Sequence, residues 1–168
     1  GGQGMVMLPP FDHPDIIEGQ ATVAAEIIVQ LPADVEPDRF IIPVGGGGLA
    51  AGMTGYLAVR FDRQQFVFCE PSGAPSLKKS LESGHRIRLE QVDNFVDGAA
   101  VAEVGRQNFD ALQDFSADQV MLIEENAVCV TISELLTSEG FVLEPAGALA
   151  ITALETLAGQ IAGKILVA

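Results

Sequence analysis

The chain has 168 residues with 23 acidic against 9 basic side chains, a formal charge of −14, and 48% hydrophobic content. That is enough for one domain with a sizeable core, while the acid excess opposes nonspecific binding to nucleic acid or an anionic membrane. No apolar stretch approaches the roughly 18 residues that span a bilayer, and the start GGQGMVMLPP lacks the basic region of a signal peptide, so a cytoplasmic protein is expected.

In chain order, an apolar MVML reads as a first strand, and Pro9 to Pro14 as a loop. Pro14 suits the first turn of a helix running to about Leu31, ended by Pro32. Phe40 to Val44 is a nearly continuous apolar strand, Leu49 to about Arg60 a helix, and Gln65 to Cys69 a strand, together a βαβ unit with buried parallel strands. Pro75 to Glu82 is predicted as a short helix stopped by Gly84. The pattern weakens from His85 to Phe109, which predicts an irregular crossing segment. Asp118 to Ile123 reads as a strand, Asn126 to about Ser138 as a helix closed by Gly140, and Pro145 to about Leu157 as a helix closed by Gly159. Ile165 to Val167 begins another strand. The alternation implies an α/β layered fold with a parallel sheet, and both ends read as cut from a larger domain. Cys69 and Cys129 each lie in an apolar run and are read as small buried hydrophobes without a disulfide.

Chemistry is concentrated at Gly45, Gly46, Gly47 and Gly48, between an apolar strand and an alanine-rich helix starting near Leu49. A strand that turns through glycine into a helix start gathers free backbone N–H groups and the positive end of a helix dipole, which together bind phosphate. Glycine lets the backbone approach the anion closely. With so few cations in the chain, the phosphate must be held by backbone dipoles. A plain tight βα turn is the bland alternative. The run lacks the Gly-Lys-Ser/Thr ending of a nucleotide triphosphate loop, whereas Gly45-x-Gly47-x-x-Ala50 with Glu70 fits a relaxed dinucleotide fingerprint.

The segments PFDHPDIIEGQATVAAEI, PVGGGGLAAG, CEPSGAPS, NFVDGAAVAEVG, ENAVCVTISEL and EPAGALAITALE, in this order, resemble the pyridoxal-phosphate-dependent threonine dehydratases. That family shares its fold with serine racemase and the β subunit of tryptophan synthase. The resemblance covers nearly the whole chain, and FVDGAAV points towards the biosynthetic threonine dehydratases. It implies a three-layer α/β fold with a mostly parallel sheet, the cofactor pyridoxal 5'-phosphate, and an amino-acid substrate, threonine or serine. It also implies a homo-oligomeric parent. Carried over by residue, it makes Gly45 to Gly48 and the Leu49 amide the phosphate cradle, and puts Gly98 beside the pyridine ring. Glu144 becomes an acid close to the cofactor; as a residue read alone, it fits equally an acid at a helix N-terminus. Some members of the fold bind a divalent metal at the position of Glu70. Here Ala74 would offer a carbonyl but Ser76 replaces an expected acid, so no metal site is predicted.

The resemblance also identifies what this chain does not contain. The family's Schiff-base lysine lies in a Ser-x-Lys-x-Arg segment upstream of the Pro-Phe-Asp loop, and a Ser-Gly-Gly-Asn turn follows the last strand. Lys78, Lys79 and Lys164 stand in neither context: the first two read as a solvated helix face, the third as a strand flank. The family also prefers Gly-Gln-Gly-Thr where Gly19-Gln20-Ala21-Thr22 stands. No catalytic residue is therefore assigned. Residues 1–168 are read as the larger, cofactor-phosphate-binding part of the catalytic domain of a threonine dehydratase of isoleucine biosynthesis. A serine racemase or dehydratase is the alternative within the fold. A noncatalytic phosphate-binding module and a dinucleotide-dependent oxidoreductase are the alternatives outside it.

Overall fold

A computed structural model describes residues 4, 6–32, 34–157 and 163–168. The elements are α1 (Pro14–Gln30), β1 (Arg39–Pro43), α2 (Gly48–Leu57), β2 (Phe66–Pro71), α3 (Ser76–Ser83), α4 (Arg106–Leu112), β3 (Val120–Ile123), α5 (Glu125–Ser138), α6 (Pro145–Leu157) and β4 (Ile165–Val167). The strands form one parallel sheet in the order β3-β2-β1-β4.

Alternation along β1 explains the layers. Phe40 and Ile42 point to one face and Ile41 to the other, and all three are fully buried. On the first face they join Phe66, Phe68, Met53, Leu57, Phe109, Leu112 and Phe115, beneath α1, α2, α3 and α4. On the second face Ile41 and Cys69 meet Val128, Leu149 and Ala153 of α5 and α6. The three-layer α/β architecture with a parallel sheet is thus as the sequence predicts. Phe40 stacks on Phe66 with ring centroids 5.3 Å apart across the β1–β2 register. Phe115 meets Phe68 edge-on at 5.0 Å.

Most sequence boundaries hold to within a few residues. Pro14 begins α1, whose His13 Nδ1 accepts the Asp15 amide at 3.3 Å. Gly84 and Gly140 follow α3 and α5 at φ of 68° and 74°, the left-handed turn expected of C-terminal glycines. α2 stops at Leu57 rather than Arg60, and β2 runs on to Pro71. Gly159 lies outside the described residues.

Two expectations fail. Val6, Met7 and Leu8 pair with no strand among the described residues and stand 83%, 87% and 78% exposed, so the MVML strand is not formed there; Met5 lies outside the described residues. An apolar run becomes a strand only beside a partner edge. The segment 85–109 is not wholly irregular: it enters α4, which buries Asn108, Phe109 and Leu112. Gly105 precedes the helix, and the apolar i, i+3 pair Phe109 and Leu112 was its sequence signal.

Chain order places the site. From β1 the chain moves outward through β2 to β3, then returns to β4 on the other side of β1. The crevice beyond the carboxyl end of β1 is therefore the switch point where open parallel sheets bind ligands.

Candidate functional site

Val44 to Gly47 occupy that crevice. The Val44 amide makes the last sheet bond, to the Cys69 carbonyl at 2.8 Å, and the chain then turns through glycine into α2. Gly47 is the N-cap at φ 89°, a conformation an L side chain resists. Among the described residues, the amides of Gly45, Gly46, Gly47, Gly48 and Leu49 donate to no protein acceptor. Five unpaired N–H groups at a helix start supply a positive cradle without a charged side chain.

Close packing leaves no room for side chains here. A Cβ on Gly45 would come within 2.8 Å of the Ala99 Cα, and one on Gly46 would overlap the Phe11 ring. A Cβ on Gly98 would press on Ala146 at 2.8 Å. The cavity at this point has a volume of about 520 Å³. Every site residue named from the sequence borders it: Gly45, Gly46, Gly47, Gly48, Leu49, Gly98 and Glu144. Sequence reading missed Phe11, Gln20 and Ala146 on its wall. None of these carries a signal of its own, since only the fold brings them to the glycine turn.

The lining holds one ionisable side chain, the exposed Glu144, whose carboxylate makes no hydrogen bond among the described residues. Its backbone carbonyl accepts the Ala148 amide at 3.2 Å in the first turn of α6. Glu144 thus borders the cavity and immediately precedes α6, the helix start expected of it as a residue read alone.

Glu70 has another role. It is fully buried; Oε1 accepts the Leu77 amide at 2.7 Å and the Ser76 hydroxyl at 3.4 Å, and Oε2 accepts the Lys78 amide at 2.9 Å. The carboxyl thus ties the start of α3 to β2. Burial pushes its pKa up to about 7 against the opposing effect of these bonds. A carboxylate sealed in this way faces no ribose, which removes the dinucleotide reading. The Ala74 carbonyl accepts the Ser76 amide at 2.9 Å, and among the described residues no three His, Cys, Asp or Glu side chains converge as metal ligands.

The lysines lie elsewhere. Lys78 is half-buried rather than solvated: its Nζ donates to the Val120 carbonyl at 2.8 Å. The Lys164 Nζ donates to the Asp34 carbonyl at 3.3 Å, and the exposed Lys79 borders a separate depression with Arg88 and Glu90. Both cysteines are free. Cys69 is buried and its thiol pushed up by burial, with Glu70 adding to the shift, but Cys129 is exposed on α5, contrary to the sequence expectation.

A cofactor phosphate fits this cavity. Its donor set is a row of unpaired amides, and its glycines pack so closely on Ala99, Phe11 and Ala146 that side chains there would have to displace the wall. Comparison with known proteins agrees. The chain is 40% identical over 163 residues to the L-threonine dehydratase biosynthetic IlvA of Halalkalibacterium halodurans, covering 97% of this chain and 39% of the relative. It is 42% identical over 153 residues to that of Mycobacterium leprae, covering 90% and 35%. The chain thus spans little more than a third of the length of these relatives. Among solved structures, the processed form of threonine deaminase isoform 2 from Solanum lycopersicum superposes with a TM-score of 0.87 at 35% identity, over 98% of this chain and 48% of that one. Maize serine racemase superposes with a TM-score of 0.82 at 26% identity, over 98% and 51%. The sequence profile of the family described as pyridoxal-phosphate dependent enzyme matches residues 2–168, and the chain belongs to that family.

Proposed function

We propose that residues 1–168 form the cofactor-phosphate-binding part of the catalytic domain of a threonine dehydratase, which converts L-threonine to 2-oxobutanoate and ammonia in the cytoplasm. The observation that carries this is the row of unpaired amides from Gly45 to Leu49 at the start of α2, in a chain whose relatives are threonine dehydratases.

When bound, pyridoxal 5'-phosphate withdraws electrons from the substrate Cα and so makes loss of its proton and of the β-hydroxyl feasible. The glycine amides and the α2 dipole would hold the phosphate. Gly98, kept small by Ala146, would leave a flat wall for the ring, and Glu144 would place a carboxylate beside it. None of the lysines stands at this cavity, so the proton-transferring amine comes from outside residues 1–168, and this chain alone is inactive.

Full-length protein given L-threonine and the cofactor should form 2-oxobutanoate. Residues 1–168 alone, treated with cofactor and borohydride, should show no label on Lys78, Lys79 or Lys164 by peptide mapping. Stoichiometric labelling of any of the three overturns the division of labour. The likeness to maize serine racemase favours one second reading, which D-serine formation from L-serine without release of ammonia would support.

A further inference from the structure

The Gly46 carbonyl, in the middle of the glycine turn, accepts two hydrogen bonds from the α4 region. The Gly105 amide donates at 3.0 Å and the Asn108 Nδ2 at 2.7 Å. The same Nδ2 donates to the Phe11 carbonyl at 3.1 Å, so one amide group joins the loop before α1 to the glycine turn. Asn108 is fully buried, and its Oδ1 is the one buried side-chain polar atom without a partner among the described residues.

The orphan is informative. Turning the amide over would bring Oδ1 against two carbonyl oxygens, so its orientation is fixed by the two bonds it donates. An unmet acceptor in a closed interior costs free energy, and here it accompanies a bridge that an apolar side chain could not make. The bridge has a consequence across one peptide bond. In a trans peptide the C=O of one residue and the N–H of the next point in opposite directions. With the Gly46 carbonyl held towards α4, the Gly47 N–H is turned away from it, and Gly47 borders the cavity.

We propose that Asn108 is a positioning residue of the phosphate cradle: its Nδ2 holds the Gly46 carbonyl outward and thereby aims the Gly47 N–H at a ligand phosphate. The backing is firm on its far side. Asp12 Oδ2 and Oδ1 accept the Arg106 and Gln107 amides, each at 2.9 Å, and fix the start of α4. A Cβ on Gly47 would lie 3.0 Å from both the Asn108 Cβ and a Val104 methyl, so the turn is seated directly on these side chains. The inference rests on the reading of the cavity as a cofactor-phosphate site.

The test compares full-length protein with its Asn108→Ala and Asn108→Asp variants, the second nearly isosteric but without the donor. Affinities for pyridoxal 5'-phosphate and for pyridoxal, which lacks the phosphate, are measured side by side, with the ³¹P resonance of bound cofactor as a second readout. Each variant is expected to lose about tenfold in affinity for the phosphorylated ligand, the weight of one charge-assisted hydrogen bond. Pyridoxal affinity should barely change, and the ³¹P resonance should move. An unchanged ratio of the two affinities with an unmoved resonance overturns the assignment of Asn108. Proportional loss of both ligands with a lowered melting temperature also overturns it, since that is the mark of a merely structural side chain. Failure of the unaltered protein to bind pyridoxal 5'-phosphate overturns the cofactor reading itself, and the proposal with it.

Discussion

The Glu70 carboxylate receives the Leu77 amide at 2.7 Å in a position with no solvent exposure, so a single side chain joins β2 to the start of α3. Burial raises its pKa to about 7, so the folded protein holds a proton there that the unfolded chain releases near the ordinary glutamate value of 4.5. The stability contributed by this group is complete below that lower value and lost as pH rises through about 7. Glu70→Gln should remove that slope: the excess stability of the unaltered protein over the variant should shrink between pH 5 and pH 8, by on the order of 3 kcal/mol. Denaturant unfolding at several pH values measures it, and parallel curves would contradict it.

The same bonds predict indifference to divalent cations. Both oxygens of Glu70 already accept amide protons, and the Ala74 carbonyl is taken by the Ser76 amide. Millimolar magnesium or calcium should leave the melting temperature unchanged. A rise with magnesium that disappears in Glu70→Ala would show a metal ligand instead.

At the glycine turn, Gly47→Asp in the full-length protein should abolish cofactor retention, because the position requires φ 89° and a carboxylate there would repel the phosphate. Gly46→Asp should do the same by displacing the Phe11 ring. Cofactor absorbance after dialysis is the readout, and full occupancy in either variant would remove the turn from the site. Gly47→Ala, which brings the strained φ and tight Cβ contacts with Asn108 and Val104 but no charge, should cost at least roughly 1–2 kcal/mol of stability.

Asp12→Ala should destabilise the fold by about 1–2 kcal/mol, since it removes the acceptor of the Arg106 and Gln107 amides at the start of α4. Asp12→Asn, which keeps a side-chain oxygen, should recover part of the loss. Urea midpoints compare the three proteins, and equal midpoints would show that α4 needs no cap from the Asp12 loop.

Much of the fold was legible because its signals are local. The apolar run at Phe40, Ile41 and Ile42 marks a strand buried on both faces, Pro14 and Gly84 mark helix ends, and four glycines before an alanine-rich helix mark the turn whose amides stay unpaired at the start of α2. These depend on steric and hydrogen-bonding properties of neighbouring residues, which the order of the chain contains. Tertiary structure decided what depends on partners distant along it. Val6, Met7 and Leu8 are apolar but pair with no strand among the described residues. Lys78 reads as a solvated cation until β3 supplies the Val120 carbonyl, and Cys129 as a buried hydrophobe until α5 turns it outward. Asn108 shows the difference most sharply. Its two acceptors are the carbonyls of Phe11 and Gly46, 97 and 62 positions away, and backbone carbonyls look the same in every residue, so only the folded chain could pair them.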